Sequence, residues 1–268
     1  MANFSNKVVV ITGGSDGIGK ALVQQFLTLG AKVATCGRNA DKLAQLAQEL
    51  NNPCLFTMQV DVVNQQQDEA FIQAVVDKWG GVDILINNAG ISMRALVSEV
   101  SIATLKNVMD INFWGTVYTT KAALPFVLKA NGVIVGVSSI AGYRGLPGRS
   151  GYSASKYALN GWLEALRTEL FGSGTHVMWV CPGFTSSNIR NAALNKDAQA
   201  QGESPMDEGA MMSSEECAQH IIHAIGKRKR SLVLTFTGKR TVFMNKFFPA
   251  WADKLAYHFF FKNGKLVK

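Results

Sequence analysis

The stretch Lys7-Val8-Val9-Val10-Ile11-Thr12-Gly13-Gly14-Ser15-Asp16-Gly17-Ile18-Gly19 decides the fold. Its first half is a β-branched run with no polar alternation, the pattern of a strand covered on both faces of a sheet. A glycine-rich turn follows at once. Gly17–Leu29 then reads as a helix with Ile18, Ala21, Leu22, Phe26 and Leu29 on its apolar side. Glycines allow a tight turn and let the backbone approach a ligand with no Cβ in the way. The free N–H groups at the helix start, backed by its dipole, favour an anion such as pyrophosphate. The spacing T-G-x-x-x-G-x-G is one residue longer than the usual G-x-G-x-x-G. On position alone, a plain strand-to-helix turn competes with this reading. Gly13, Ser15, Asp16, Gly17, Ile18 and Gly19 are therefore cofactor candidates that the rest of the chain has to support.

Outward from that turn, strand-like runs alternate with helical segments. Strands are expected at Lys32–Cys36, Cys54–Gln59, Asp83–Ile86, Val133–Val137, His176–Val180 and Ser231–Thr235. Helices are expected at Asp41–Leu50, after the strand ending at Gln59 and up to Trp79, over Ser101–Lys129 with a break near Asn112, at Tyr152–Leu170 and at Ser213–Ile225. Continuous apolar strands between helices imply an α/β fold, a doubly wound parallel sheet of the Rossmann type. No repeat or low-complexity linker divides it, so one domain is expected over residues 1–240, followed by a basic aromatic extension, 241–268. The polar, weakly periodic stretch Thr185–Met212 reads as a mobile surface element.

With 268 residues, 47% hydrophobic and only 17% charged, the chain has material for a sizeable core, which excludes wholesale disorder, a collagen-like repeat and a coiled coil. Cys36, Cys54, Cys181 and Cys217 are scattered, with no C-x-x-C pair and no clustered His, so neither a disulfide scaffold nor a metal site is expected. Residues 1–7 carry no signal-peptide pattern and no run reaches a membrane span, which gives the expectation of a cytoplasmic protein. The net charge of +8 is uneven: from Gly226 onward there are 11 of the 27 Lys and Arg and one acid, Asp253. The remainder is close to neutral, with 16 basic and 18 acidic residues, so nucleic acid is not an expected partner.

The residues after the second strand bear on cofactor choice. An acid there would bond the ribose 2′-OH of NAD, whereas a guanidinium would pair with the 2′-phosphate of NADP. Cys36-Gly37-Arg38 has no acid, so NADP is preferred over NAD, with Arg38 as an ordinary surface cation the alternative. Tyr152-Ser153-Ala154-Ser155-Lys156 opens the long helix after the fifth strand and sets a phenol and an amine on one face at i and i+4. The cation is expected to favour phenolate and lower the tyrosine pKa. A lone Y-x-x-x-K is weak evidence, but Ser139 lies 13 residues upstream at the end of strand five. Asn87-Asn88-Ala89-Gly90 ends strand four, where doubly wound sheets bind ligands, and Asn112 sits at the helix break.

Together, TGGSDGIG at 12–19, Asp61 after strand three, NNAG at 87–90, Asn112, Ser139, Tyr152 with Lys156, and Pro182-Gly183 resemble the classical short-chain dehydrogenase/reductase family over about the first 190 residues. The resemblance implies that Tyr152 donates a proton to a substrate carbonyl as NADPH supplies hydride, with Ser139 polarising that carbonyl. It implies that Lys156 binds the nicotinamide ribose and that Asn112 anchors a water. Asp61, with Val62 beside it, would meet the adenine, Asn88, Ala89 and Gly90 its ribose, and Pro182-Gly183 the nicotinamide. Thr185 and Ser187 depart from the family's P-G-x-[VI]-x-T; Ser187 keeps a hydroxyl for the carboxamide, and weaker packing is expected at Thr185.

The extension is dense in aromatics, with Phe247, Trp251 and Leu255 at helical spacing among lysines. It reads as a helix packed on its own domain or a second subunit, as a membrane-surface helix, or as a flap over the entrance for a hydrophobic ligand. In style it is similar to tails of hydroxysteroid dehydrogenases and of 3-ketosphinganine and acyl-dihydroxyacetone-phosphate reductases. The expected activity is NADP(H)-dependent interconversion of a ketone and a secondary alcohol, on an apolar or lipid-like substrate suggested by the tail and by Ile91, Met93, Leu146 and Phe184. The competing readings are a non-catalytic NADP-binding scaffold and a membrane-peripheral protein on the same fold. The resemblance further implies a homodimer or homotetramer through helices at about 101–130 and 152–170.

Overall fold

A computed structural model describes residues 3–202, 204, 209 and 211–268. Seven strands form one parallel sheet: β1 (Val8–Thr12), β2 (Lys32–Gly37), β3 (Leu55–Gln59), β4 (Ile84–Asn87), β5 (Val133–Val137), β6 (His176–Cys181) and β7 (Ser231–Val233). Their order, β3-β2-β1-β4-β5-β6-β7, reverses direction between β1 and β4. A crevice opens at such a reversal beyond the carboxyl ends of the strands.

Side chains alternate between the faces of a strand, and the two halves of each apolar run build two cores. Val9, Ile11, Val33, Ile86, Val135 and Val180 face α1 (Gly17–Thr28) and α7 (Ser214–Gly226), whose Leu22, Phe26, Ile221 and Ile225 they bury. Val8, Val10, Ala34, Leu85, Ile134 and Trp179 face α3 (Gln65–Trp79), α5 (Gly115–Lys129) and α6 (Ser150–Glu169) through Phe71, Val127, Leu159 and Leu163. The helices start where the sequence offers caps. Asn39 accepts from Lys42 N at α2 (Ala40–Leu50), Asn64 from Gln66 N and Gln67 N at α3, and Ser101 from Thr104 N at α4 (Ile102–Met109).

The expected break near Asn112 is a wider, π-type turn, Asp110–Trp114, between α4 and α5. The stretch 185–212 was expected to be mobile; positions 203, 205–208 and 210 lie outside the described residues. Its two ends are tied together, Ser186 N to Met212 O at 2.8 Å, and its middle to the loop after β4, Leu194 N to Ser92 O at 2.9 Å. The extension is more than one helix. α8 (Phe236–Phe247) starts before residue 240, α9 (Pro249–Phe260) follows, and a hairpin pairs β8 (Phe261–Lys262) with β9 (Lys265–Leu266). Asn263 and Gly264 both take positive φ, 51° and 72°, as a two-residue hairpin turn requires. Among the described residues no helix is long and apolar enough to cross a membrane.

Candidate active site

One cavity of about 710 Å³ runs along the carboxyl ends of the strands. At one end is the turn between β1 and α1. Gly13 has φ +68°, and a methyl group at Gly19 would run into the Gly13 carbonyl and the Asn88 amide. Asn88 Nδ2 bonds the Thr12 and Gly13 carbonyls at 3.0 and 3.1 Å, while Thr12 Oγ1 accepts from both Asn88 N and Ala89 N at 3.0 Å. Segments 12–19 and 87–90, distant in sequence, are thus one hydrogen-bonded cradle. Asp16 caps α1 and forms a 2.7 Å ion pair with Lys42, which lines the cavity, as does Arg38.

At the other end, β5 and α6 deliver the reacting groups. Ser139 leaves β5 as the cap of a single 3-10 turn, Ile140–Gly142, its Oγ accepting from Ala141 N at 3.1 Å. Tyr152 and Lys156 stand one turn apart on α6, both buried and both lining the cavity with Ser139. Lys156 Nζ donates to the Val137 carbonyl at 2.8 Å and lies 5.7 Å from the centre of the Tyr152 ring. Burial lowers its pKa from 10.5 to about 8.

The sequence suggested that Lys156 would lower the Tyr152 pKa; in the structure, burial raises it. The contact with the Ser139 hydroxyl and then the guanidiniums of Arg149 and Arg190 work against that rise. The lysine is occupied by a backbone carbonyl, and the arginines supply the positive field.

The cavity wall includes Gly13, Ser15, Asp16, Gly17, Ile18, Gly19, Arg38, Val62, Asn88, Ala89, Gly90, Pro182, Gly183 and Ser187. Two candidates stand behind it. Asp61 lies between the lining residues Val60 and Val62, with its N–H bonded to Gln67 Oε1 at 2.8 Å. Asn112 is fully buried in the π-type turn. It bonds Ile91 N and O at 2.8 and 2.9 Å and Ser155 Oγ at 2.9 Å, locking the loop after β4 onto α6. Thr185, expected to pack weakly, is buried, its hydroxyl 3.4 Å from the Gly183 carbonyl and its own carbonyl accepting from Arg190 at 2.6 Å. Ile91, Leu146 and Phe184 line the cavity; Met93 is buried behind them.

Sequence reasoning missed Lys42, Arg149 and Arg190, and it held the outer wall only as one of three readings of the extension, the flap over the entrance. That wall comes from α8 and α9 through Phe236, Thr241, Met244, Leu255, Phe259 and Phe260. Arg149 was legible in principle, three residues before Tyr152 at the start of the same helix.

The family described as short chain dehydrogenase matches residues 7–198, most of the chain. The chain belongs to the short-chain dehydrogenase family. It is 36% identical over 245 residues to dehydrogenase/reductase SDR family member 7B of Rattus norvegicus, spanning 87% of this chain and 75% of that protein. It is also 34% identical over 241 residues to 11-beta-hydroxysteroid dehydrogenase 1A of Arabidopsis thaliana, spanning 85% and 68%. A short-chain dehydrogenase/reductase from Burkholderia phymatum, solved in complex with NAD, superposes with a TM-score of 0.83 over 92% of this chain and 95% of that one. At 23% identity that likeness speaks for the fold. As a short-chain dehydrogenase, the protein is an oxidoreductase that acts on CH–OH groups with a nicotinamide cofactor.

Proposed function

We propose that this short-chain dehydrogenase reduces a ketone to a secondary alcohol with NADPH, on an apolar or amphipathic substrate. The observation that carries the reading is one continuous cavity with the glycine cradle at one end and Ser139, Tyr152 and Lys156 at the other. The residues fit a dinucleotide. The cradle leaves backbone room for a pyrophosphate, and Arg38 suits a 2′-phosphate, with no acid at the end of β2 and Lys42 nearby in the chain but held by Asp16. The bound cofactor supplies the hydride.

Tyr152 donates its proton to the ketone oxygen, which the Ser139 hydroxyl holds in place. A tyrosine kept neutral by burial is an acid ready to give a proton, and the positive groups near it stabilise the phenolate that remains. Lys156 holds the nicotinamide ribose, and Pro182, Gly183 and Ser187 face the nicotinamide. Asp61 and Val62 serve the adenine end, and Asn88 to Gly90 its ribose. Asn112 positions the loop after β4 and a water beyond it. Ile91, Leu146 and Phe184 favour an apolar substrate body. The catalytic body runs to about residue 235, short of the 240 expected, and α8, α9 and the hairpin are its cover. A panel of steroid, quinone, keto-lipid and aliphatic ketones, each assayed for oxidation of NADPH and of NADH, tests the reading. Consumption of NADPH with an apolar ketone is expected; no turnover of any ketone with either cofactor contradicts it.

A second reading concerns location and is favoured by the outer face of α8 and α9. Phe243, Phe247, Phe248 and Trp251 are 54%, 57%, 51% and 68% exposed, among the exposed Lys246 and Lys254. Aromatics beside lysines suit the headgroup boundary of an anionic bilayer. The cytoplasmic enzyme is then membrane-peripheral, with its cavity cover facing the lipid. The homodimer or homotetramer implied by the family has its candidate contacts in the exposed Trp114 and Tyr157.

A further inference from the structure

Ser139 and Tyr152 are joined by the loop 140–149, whose only regular structure is the 3-10 turn Ile140–Gly142. Ile140, Arg144, Leu146 and Arg149 of this loop line the cavity. Its inner side rests on α6. Asn160 Nδ2 donates to the Gly142 carbonyl at 3.0 Å, and Ser153 Oγ accepts from Leu146 N at 3.1 Å.

Its outer side rests on the cover, at three points supplied by three elements. Asn245 of α8 bonds the loop twice: Nδ2 donates to the Tyr143 carbonyl at 2.7 Å, and Oδ1 accepts from the Arg144 guanidinium at 3.0 Å. Asp253 of α9 pairs with the same guanidinium at 2.7 Å. Leu266 of β9 sits on Gly148, where a Cβ would stand 2.5 Å from Leu266 Cδ2. Gly148 also has φ +71°, and its carbonyl accepts from Ala95 N at 2.9 Å, which ties the same spot to the loop after β4. Glycine thus meets two demands at position 148, a left-handed backbone and room for a leucine.

The three contacts are unequal. The Asp253 side chain is 68% exposed, and an ion pair so open to water holds little. The Asn245 bonds are partly buried and fix backbone as well as side chain, and Leu266 fills a space that only a glycine leaves open. Both residues stand behind the cavity wall, which Arg144, Leu146 and Met244 form in front of them.

We infer that Asn245 and Leu266 are positioning residues of the active site: through Tyr143, Arg144 and Gly148 they hold the loop that sets Ser139 against Tyr152. The inference rests on the reading of those two groups as the ones that hold and protonate the ketone. The cover then does more than wall the substrate, because it fixes the alignment of the reacting groups. Misplacement by about 1 Å is enough to slow a reaction up to about 10²-fold.

The test uses the full chain as wild type, Asn245→Ala, Leu266→Ala and the conservative Leu266→Met. Hydrogen exchange reads the clamp without any turnover. Amides 142–149 and the Ala95 amide should exchange about tenfold faster in both alanine variants, with those of β1 unchanged. Turnover with the best ketone is expressed per NADPH-binding site, so that unfolded protein does not count. On that scale kcat should fall about tenfold in each alanine variant while KM for NADPH stays that of wild type. Leu266→Met, which keeps the volume, should restore both readouts.

Loop exchange at the wild-type rate in both alanine variants overturns the inference, as does full kcat per site in variants whose loop has loosened. Faster loop exchange in a protein that reduces no ketone even as wild type would uphold the clamp and remove the reductase reading.

Discussion

Burial acts in opposite senses on the two titrating groups of α6. It raises the pKa of the Tyr152 phenol and lowers that of the Lys156 ammonium to about 8. For a base depressed from 10.5, the folding penalty is present in full below pH 8 and disappears as pH rises toward 10.5, because only the unfolded chain still holds the proton there. Lys156→Met should therefore gain stability over wild type, on the order of 3 kcal/mol at neutral pH. That advantage should shrink between about pH 8 and 10.5 in denaturant titrations; a pH-independent difference would show that the lysine is not buried as charged. At the cofactor end, Arg38→Asp should raise KM for NADPH far more than KM for NADH, through lost pairing with a 2′-phosphate and added repulsion. Equal effects on the two would remove Arg38 from cofactor choice.

Elements differ in how much of them can be read from residues alone. β1 was legible because Val8–Ile11 is β-branched throughout and buried on both faces, and the cradle because Gly13, Gly19 and Asn88 occupy one small space. The break at Asn112 was legible as an interruption, but its hold on Ile91 required three dimensions. α8 was not legible, since its apolar residues form no clear stripe and its signal is the single hydroxyl of Thr235, which accepts from Gly238 N at 3.0 Å. The hairpin at Asn263-Gly264 carried a turn signal that the surrounding aromatic run obscured.

Thr235 itself has φ +62°, a position that disfavours a β-branched residue. Two variants separate its cap from its strain. Thr235→Ala should cost about 1 kcal/mol and speed hydrogen exchange in α8, because the cap is lost and positive φ remains. Thr235→Gly should be close to neutral, as glycine tolerates that φ and is an acceptable cap residue. Equal losses in both would mean that the threonine methyl, not its hydroxyl or backbone, holds the helix.

Over the whole molecule, a seven-stranded sheet positions cradle, phenol and arginines along one edge, and the C-terminal helices close that edge from outside. Phe184 stacks on Phe259 at 6.0 Å, and Arg144 pairs with Asp253 at 2.7 Å, so the cover is fastened on its inner side while its aromatics face outward. Phe247→Ser combined with Trp251→Ser should weaken co-sedimentation with vesicles containing phosphatidylserine and leave the thermal midpoint nearly unchanged, since both side chains are more than half exposed. Unchanged sedimentation would remove the lipid-facing role of the cover.

The central claim concerns a single oxygen atom, the phenol of Tyr152. Tyr152→Phe, assayed with NADPH and the best ketone of the panel, should lose about 10²–10⁴-fold in turnover while NADPH binding, followed by its fluorescence, stays near that of wild type. Turnover undiminished in that variant would contradict the account.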